Sequence, residues 1–270
     1  MRGPLSHPIG PPPLPGDLPA VRRTSALSGG DIGQVWSAEL TDGRRVVVKA
    51  TGYDARLEAE GLTALAAAGG PVPAVLGVDE TTLVLEYVAG RPDWQGLGSA
   101  LATVHREVGP AFGWHRDNVV GPLPQANPPR PDWVSFYLEH RLAPYLDVVP
   151  SDLAGRLETA MGGLLPGLLD HDVAPSLVHG DLWSGNIVDG RWLIDPAVCR
   201  ADRELDLAML ELFGTVPEAL ARGYDEVWPL DAGWQRRRPA LQLYHLLVHV
   251  QLFGAGYLGA VASRLSAIGA

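Results

Sequence analysis

The chain changes character once, at Ala89-Gly90-Arg91-Pro92, and that change limits the possible folds more than any other feature. Before it, short β-branched runs alternate with turn signals. Gln34–Leu40 reads as a strand, Asp42-Gly43 as a hairpin turn and Arg45–Ala50 as the returning strand. Residues 54–68, rich in Ala, Leu and Glu, read as a helix closed by Gly69-Gly70 and by Pro71 and Pro73. Residues 74–78 and 82–88 read as two further strands. After the change the pattern turns helical, over 97–107, 133–145, 151–169, 205–213 and a C-terminal stretch. Only a β-like segment around 177–195 and a Gly-, Pro- and Asn-rich ordered loop at 109–131 interrupt it. The expected fold is α+β with two lobes. Residues 17–88 form a small antiparallel sheet with one helix, and 89–270 form a larger, mainly helical lobe. A cleft lies between them, where ligands usually bind. Residues 1–16, with their prolines, read as an extended lead-in. No internal repeat is present.

Composition excludes several classes. With 46% hydrophobic residues, 270 residues can build a substantial core. A net charge of −10 and a pI near 5.2 argue against a dedicated nucleic-acid binder, although net charge does not describe a single cleft. The single cysteine, Cys199, rules out an intrachain disulfide and a zinc-thiolate cluster. The N-terminus lacks the apolar run of a signal peptide. Residues 240–262 are long and apolar enough to be weighed as a membrane span, but they contain His245, His249 and Gln251. A buried helix broken near Gly254 and Gly256 is expected instead, with both histidines packed. The expected protein is cytoplasmic, without membrane or nucleic-acid partners, and monomeric.

The chemistry concentrates in His179-Gly180-Asp181-Leu182-Trp183-Ser184-Gly185-Asn186. Phosphoryl transfer needs a carboxylate to orient the attacking hydroxyl, oxygen ligands for Mg²⁺, and cations along the phosphates. Asp181 and Asn186 have the spacing of a kinase catalytic loop. A hairpin centred on Asp189-Gly190 would set Asn186 opposite Leu193 and bring Asp195 diagonally across, about 7–8 Å away. Asp195 and Asn186 then become the metal ligands. In the small lobe, Ser28–Gly33 contains Gly29 and Gly30, whose backbone N–H groups could meet phosphates. Lys49 ends an otherwise apolar strand and needs a carboxylate partner. Glu58, sharing a helix face with Leu62 and Leu65, is chosen over Glu60, which lies nearer solvent. Glu86, Tyr87 and Val88, at the end of the small lobe, are placed to bond adenine through their backbone. His179 is expected to pack, and Asp206 to anchor the catalytic loop.

These residues resemble the fructosamine kinase (ketosamine-3-kinase) family, of the protein-kinase-like superfamily that includes aminoglycoside phosphotransferases and choline kinases. The resemblance runs from about Leu27 to Tyr257. It includes Phe112-Gly113-Trp114 with Asn118, Gly121, Gln125 and Asn127, then Asp195-Pro196-Ala197 leading into Arg203–Met209, and Leu252–Tyr257. It implies ATP-dependent phosphorylation of the sugar 3-hydroxyl of a ketosamine formed on an amine or lysine, with Asp181 as base and Trp183 shaping the sugar pocket. Val198–Asp202 departs from the family's Tyr- and Gly-containing turn, and the segment after Gly214 is shortened, which leaves acceptor identity open. A kinase for an aminoglycoside or amino alcohol, and a non-catalytic nucleotide-binding protein, are the competing readings.

Overall fold

A computed structural model describes residues 10–27 and 34–270. The small lobe is one antiparallel sheet in the order β1-β2-β3-β5-β4. Its strands are β1 (Val21–Ala26), β2 (Gln34–Leu40), β3 (Arg45–Ala50), β4 (Val75–Val78) and β5 (Thr82–Glu86), with α1 (Arg56–Ala67) between β3 and β4. Strand alternation explains which way Lys49 faces. Val46 and Val48 join Ala38, Leu40 and Val84 in a core on the outer face. Val47 and Lys49 therefore lie on the other face, where Leu62 and Leu65 of α1 pack with Leu83 and Leu85. That second core runs without a break into the large lobe.

Strand β1 was not expected. Its sequence, VRRTSA, is polar because the strand is an edge with most of its side chains in solvent. The described part of the lead-in is not a free tail. Pro15 is buried, and Leu14 and Leu18 pack on the outer core of the sheet.

The large lobe begins with α2 (Trp94–His105) and the hairpin of β6 (Asn118–Val120) and β7 (Leu123–Gln125). The hairpin lies inside the expected loop. Next come α3 (Trp133–Tyr137), α4 (Ser151–Gly162) and α5 (Leu164–Leu169). The single helices expected over 133–145 and 151–169 are both broken. In the first, a π turn at Leu138–Leu142 gives way to a 3₁₀ segment at Ala143–Val148. Pro144 lacks an N–H, and its ring crowds the carbonyl four residues earlier. The second break falls at Gly163, whose backbone leaves the helical region.

Short strands follow: β8 (Ser176–Val178), β9 (Ile187–Val188), β10 (Trp192–Leu193) and β11 (Cys199–Ala201). The chain ends in α6 (Glu204–Leu210), α7 (Glu218–Val227), α8 (Trp234–Phe253) and α9 (Leu258–Ile268). The C-terminal break lies where expected, at Gly254 with φ 85°, a conformation that favours glycine. Among the described residues, no helix is long and apolar enough to cross a membrane. Cys199 is buried on β11, and that burial pushes its thiol up, away from the reactive thiolate form.

Candidate active site

Three buried side chains fix the loop that follows β8. Asp206, on α6 and fully buried, accepts the His179 N–H at 2.6 Å and the Gly180 N–H at 2.8 Å, and lies 3.1 Å from His105 Nε2. His179 accepts the Asp181 N–H at Nδ1 (3.3 Å), so its Nε2–H donates to the Ile194 carbonyl at 2.9 Å. His245, on α8, donates from Nε2 to the Gly180 carbonyl at 2.8 Å. Burial lowers the His245 pKa to about 4, which keeps the ring neutral. Gly180 has φ 83°, and a Cβ there would stand 2.0 Å from the Ala197 carbonyl oxygen. Any side chain at this position would force the loop off its seat.

The loop delivers Asp181 into the cleft beside Asn186. The Asn186 amide nitrogen donates to the Asp181 main-chain carbonyl (2.8 Å) and to its Oδ2 (3.2 Å). This commits the nitrogen and leaves the amide oxygen as the end not held by Asp181. Burial first, and then the Asp195 carboxylate, push the Asp181 pKa up to about 7.

Asp195 arrives by a register different from the one expected. Val188 pairs with Trp192 and Ile187 with Leu193, and the Ile194 N–H donates to the Asn186 carbonyl at 3.0 Å. Asn186 thus stands opposite Ile194 rather than Leu193. The Asp189-Gly190 turn does form, both residues having positive φ and the Arg191 N–H closing on the Val188 carbonyl, but Arg191 is an extra residue before pairing resumes. The tip of this hairpin docks on the lobe junction, where the Asp189 carboxylate accepts the Gly90 N–H at 3.0 Å. Asp195 itself has φ 57°, a strained value for a residue with a side chain.

Lys49 closes the opposite wall. Its Nζ donates to Glu58 Oε2 at 2.7 Å and to Asp195 Oδ1 at 2.9 Å. Burial alone would lower its pKa, but Glu58 and Asp195 outweigh burial and hold it above the ordinary lysine value. The choice of Glu58 matches the geometry. Lys49, Glu58, Asp181, Asn186, Asp195 and Trp183 all line one cleft of about 420 Å³. A carboxylate and an amide oxygen are hard donors of the kind a divalent cation selects.

Glu86, Tyr87 and Val88 are not among the residues lining that cleft. Glu86 ends β5, and Tyr87 and Val88 follow it at the lobe junction, where the Glu86 carboxylate accepts the Ala74 N–H and Arg45 stacks on the Tyr87 ring. Gly29 and Gly30 lie outside the described residues.

Several contributors were not read from the sequence. The Tyr53 hydroxyl donates to Glu58 Oε2 at 2.7 Å and lines the cleft. A buried relay of Asn118, Gln125 and Asn127, reached by Tyr244 and Arg141, holds the Ala197 and Val198 carbonyls just beyond Asp195. Asn118, Gln125 and Asn127 thus serve as internal struts for the segment that follows Asp195.

Glu60 does lie nearer solvent than Glu58, its side chain 28% exposed against 3%, yet it is not a bystander. It accepts from Trp114 Nε1 (2.7 Å), lies 3.0 Å from His115 Nε2 and pairs with Arg116 at 2.5 Å, clamping α1 to the large lobe. Glu60→Ala is expected to cost about 1–2 kcal/mol, read by urea unfolding, because the carboxylate serves several donors at a partly exposed site. The Val198–Asp202 departure forms buried strand β11, away from the cleft lining, whereas Phe213, beside the shortened segment, does line it.

The comparisons with known proteins agree with this geometry. Residues 15–268 match the fructosamine kinase family. A probable ketoamine kinase of Thermus thermophilus is 37% identical over 253 residues, covering 89% of this chain and 92% of that protein. One of Synechocystis is 40% identical over 188 residues, which are 64% of this chain and 61% of that protein. A solved structure from Thermobifida fusca, provisionally named a fructosamine-3-kinase, superposes with TM-score 0.84 at 37% identity, covering 92% of this chain and 93% of that one. More distant kinase structures, at 17–18% identity, share the protein-kinase-like fold alone. With the match spanning nearly its whole length, the chain belongs to the fructosamine kinase family of ATP-dependent phosphotransferases that act on alcohol groups.

Proposed function

We propose that the protein transfers the γ-phosphoryl group of ATP to the sugar 3-hydroxyl of a ketosamine, a fructosamine or ribulosamine adduct on an amine or lysine, as a deglycation step. The supporting observation is the meeting of Asp181, Asn186, Asp195 and the Lys49–Glu58 pair in one cleft. Asp181 takes the role of the base that orients the acceptor hydroxyl and receives its proton, and a pKa raised toward neutrality suits that role. Asp195 and the Asn186 amide oxygen would hold Mg²⁺, which when bound with the nucleotide neutralises phosphate charge. Lys49, oriented by Glu58, would contact the phosphates. The backbone of Glu86, Tyr87 and Val88 is assigned to adenine, Gly29 and Gly30 to phosphate, and Trp183 to the sugar. A cytoplasmic, monomeric enzyme acting on free or protein-bound adducts completes the proposal.

The test is product analysis after incubation with ATP, Mg²⁺ and a panel of ketosamines, aminoglycosides and amino alcohols. Phosphate on O3 of a ketosamine supports the reading. Turnover of aminoglycosides or amino alcohols without any ketosamine product would sink it, and nucleotide binding without turnover on any acceptor would argue for a non-catalytic protein. Lys49→Ala is expected to raise the KM for ATP about tenfold or more in the same assay, since it removes a charge-assisted contact to phosphate.

A further inference from the structure

The cleft continues past Trp183 as a wall of rings. Phe213 precedes α7, His249 and Phe253 sit on the last turns of α8, and Tyr257 follows the break at Gly254; all line the same cavity. Their rings touch in series. Phe213 meets Trp183 edge-on at 6.4 Å between centroids, His249 at 4.6 Å and Tyr257 at 6.2 Å. Phe253 lies 5.4 Å from His249 and 6.1 Å from Tyr257.

Two features of this wall point to a ligand. Phe213 is 38% exposed and Phe253 44%, and they are two of the five exposed large hydrophobics among the described residues. Leaving two phenyl rings open to water on one cavity is unfavourable unless something covers them during function. The second feature is charge. Among the described residues, the acidic side chains lining the cleft are Glu58, Asp181 and Asp195, which the proposed chemistry already uses. His249 donates Nδ1–H to the His245 carbonyl, and burial holds its pKa below the ordinary value, so this ring adds no charge. An ammonium tail would find no free carboxylate among the described residues here. A flat apolar group laid on the wall would gain both burial and ring contact.

We propose that this aromatic wall is the aglycone subsite, receiving the amine-derived part of the acceptor and favouring aromatic or bulky apolar adducts over those with a cationic tail. The proposal rests on the ketosamine-kinase reading and deepens it.

The test is steady-state kinetics on fructosyl adducts of benzylamine, cyclohexylmethylamine, methylamine and 1,3-diaminopropane, so that the sugar is constant and only the aglycone varies. Expected is a kcat/KM for the benzylamine adduct about tenfold or more above that for the diaminopropane adduct, expressed mainly in KM. Phe253→Ala, at an exposed position, should reduce kcat/KM for the benzylamine adduct several-fold more than for the methylamine adduct, and Phe253→Trp should restore the difference. Equal kcat/KM across the four adducts, or equal losses in Phe253→Ala, would overturn the subsite while leaving ketosamine phosphorylation intact. Turnover of aminoglycosides with none of the four adducts would overturn both.

Discussion

Asp181→Asn is expected to lower kcat about 10²–10⁴-fold and at the same time to make the protein more stable at pH 8. The first effect follows from the proposed role of Asp181, because an amide in its place beside Asn186 cannot receive the acceptor's proton. The second follows from linkage. The folded-state pKa of Asp181 is pushed up to about 7, above its unfolded value, by burial and by Asp195. The folded protein therefore holds the proton more tightly than the unfolded chain does. Stability is greatest below the unfolded carboxylate value of about 3.9 and falls as pH rises toward 7. Above 7 the full penalty of an ionised, crowded carboxylate is present, and an amide removes it. The gain is on the order of 1–2 kcal/mol, since Asp181 is partly exposed and water screens part of the repulsion. Paired thermal melts and initial rates check both halves. A variant that is inactive and destabilised would show that Asp181 holds the loop together rather than serving it.

Asp206→Ala is expected to have the largest effect on folding. The carboxylate is fully buried and is shared by two backbone N–H groups and His105. Its removal strands those donors in an interior that water does not reach, at a cost of about 3–5 kcal/mol. Burial acts to raise the Asp206 pKa, but the bond to His105 and the charges and N–H groups around it prevail, and the pKa lies below the ordinary carboxylate value. The contribution is therefore complete above the unfolded pKa of about 3.9 and is lost as pH falls through the lower folded value. Urea unfolding at pH 7 should show the deficit. Repeated toward pH 3, the gap between wild type and variant should narrow. A constant gap would assign the loss to packing alone.

Both residues were legible in the sequence because each belongs to a short local pattern. Asp181 and Asn186 lie five apart on one loop, and Asp206 is an acid flanked by Leu205 and Leu207 on an apolar helix. Lys49 was legible as a charge ending an apolar strand, and Glu58 by its phase with Leu62 and Leu65. The failures share a different cause. The register of β9 and β10 depends on where one extra residue, Arg191, is absorbed, and the turn signal Asp189-Gly190 does not say. Strand β1 has no apolar alternation because its edge faces water. Glu60 lies nearer solvent than Glu58, as its helical phase says, but that phase does not show the loop more than fifty residues later that supplies Trp114 and Arg116 to it. The aromatic wall joins Phe213 to three residues around the end of α8. Contacts made only by tertiary folding leave no period or spacing to read.

The strap formed by Leu14, Pro15 and Leu18 bears on how the protein must be handled. Beneath it lie Leu40, Val46, Val48 and Val84, fully buried on the outer face of the sheet. A chain trimmed to start at Val21 would keep every group in the cleft and yet bare a flat, β-branched surface beside an edge strand. Such surfaces recruit other chains. Truncation there would leave the chemistry in place and forfeit solubility.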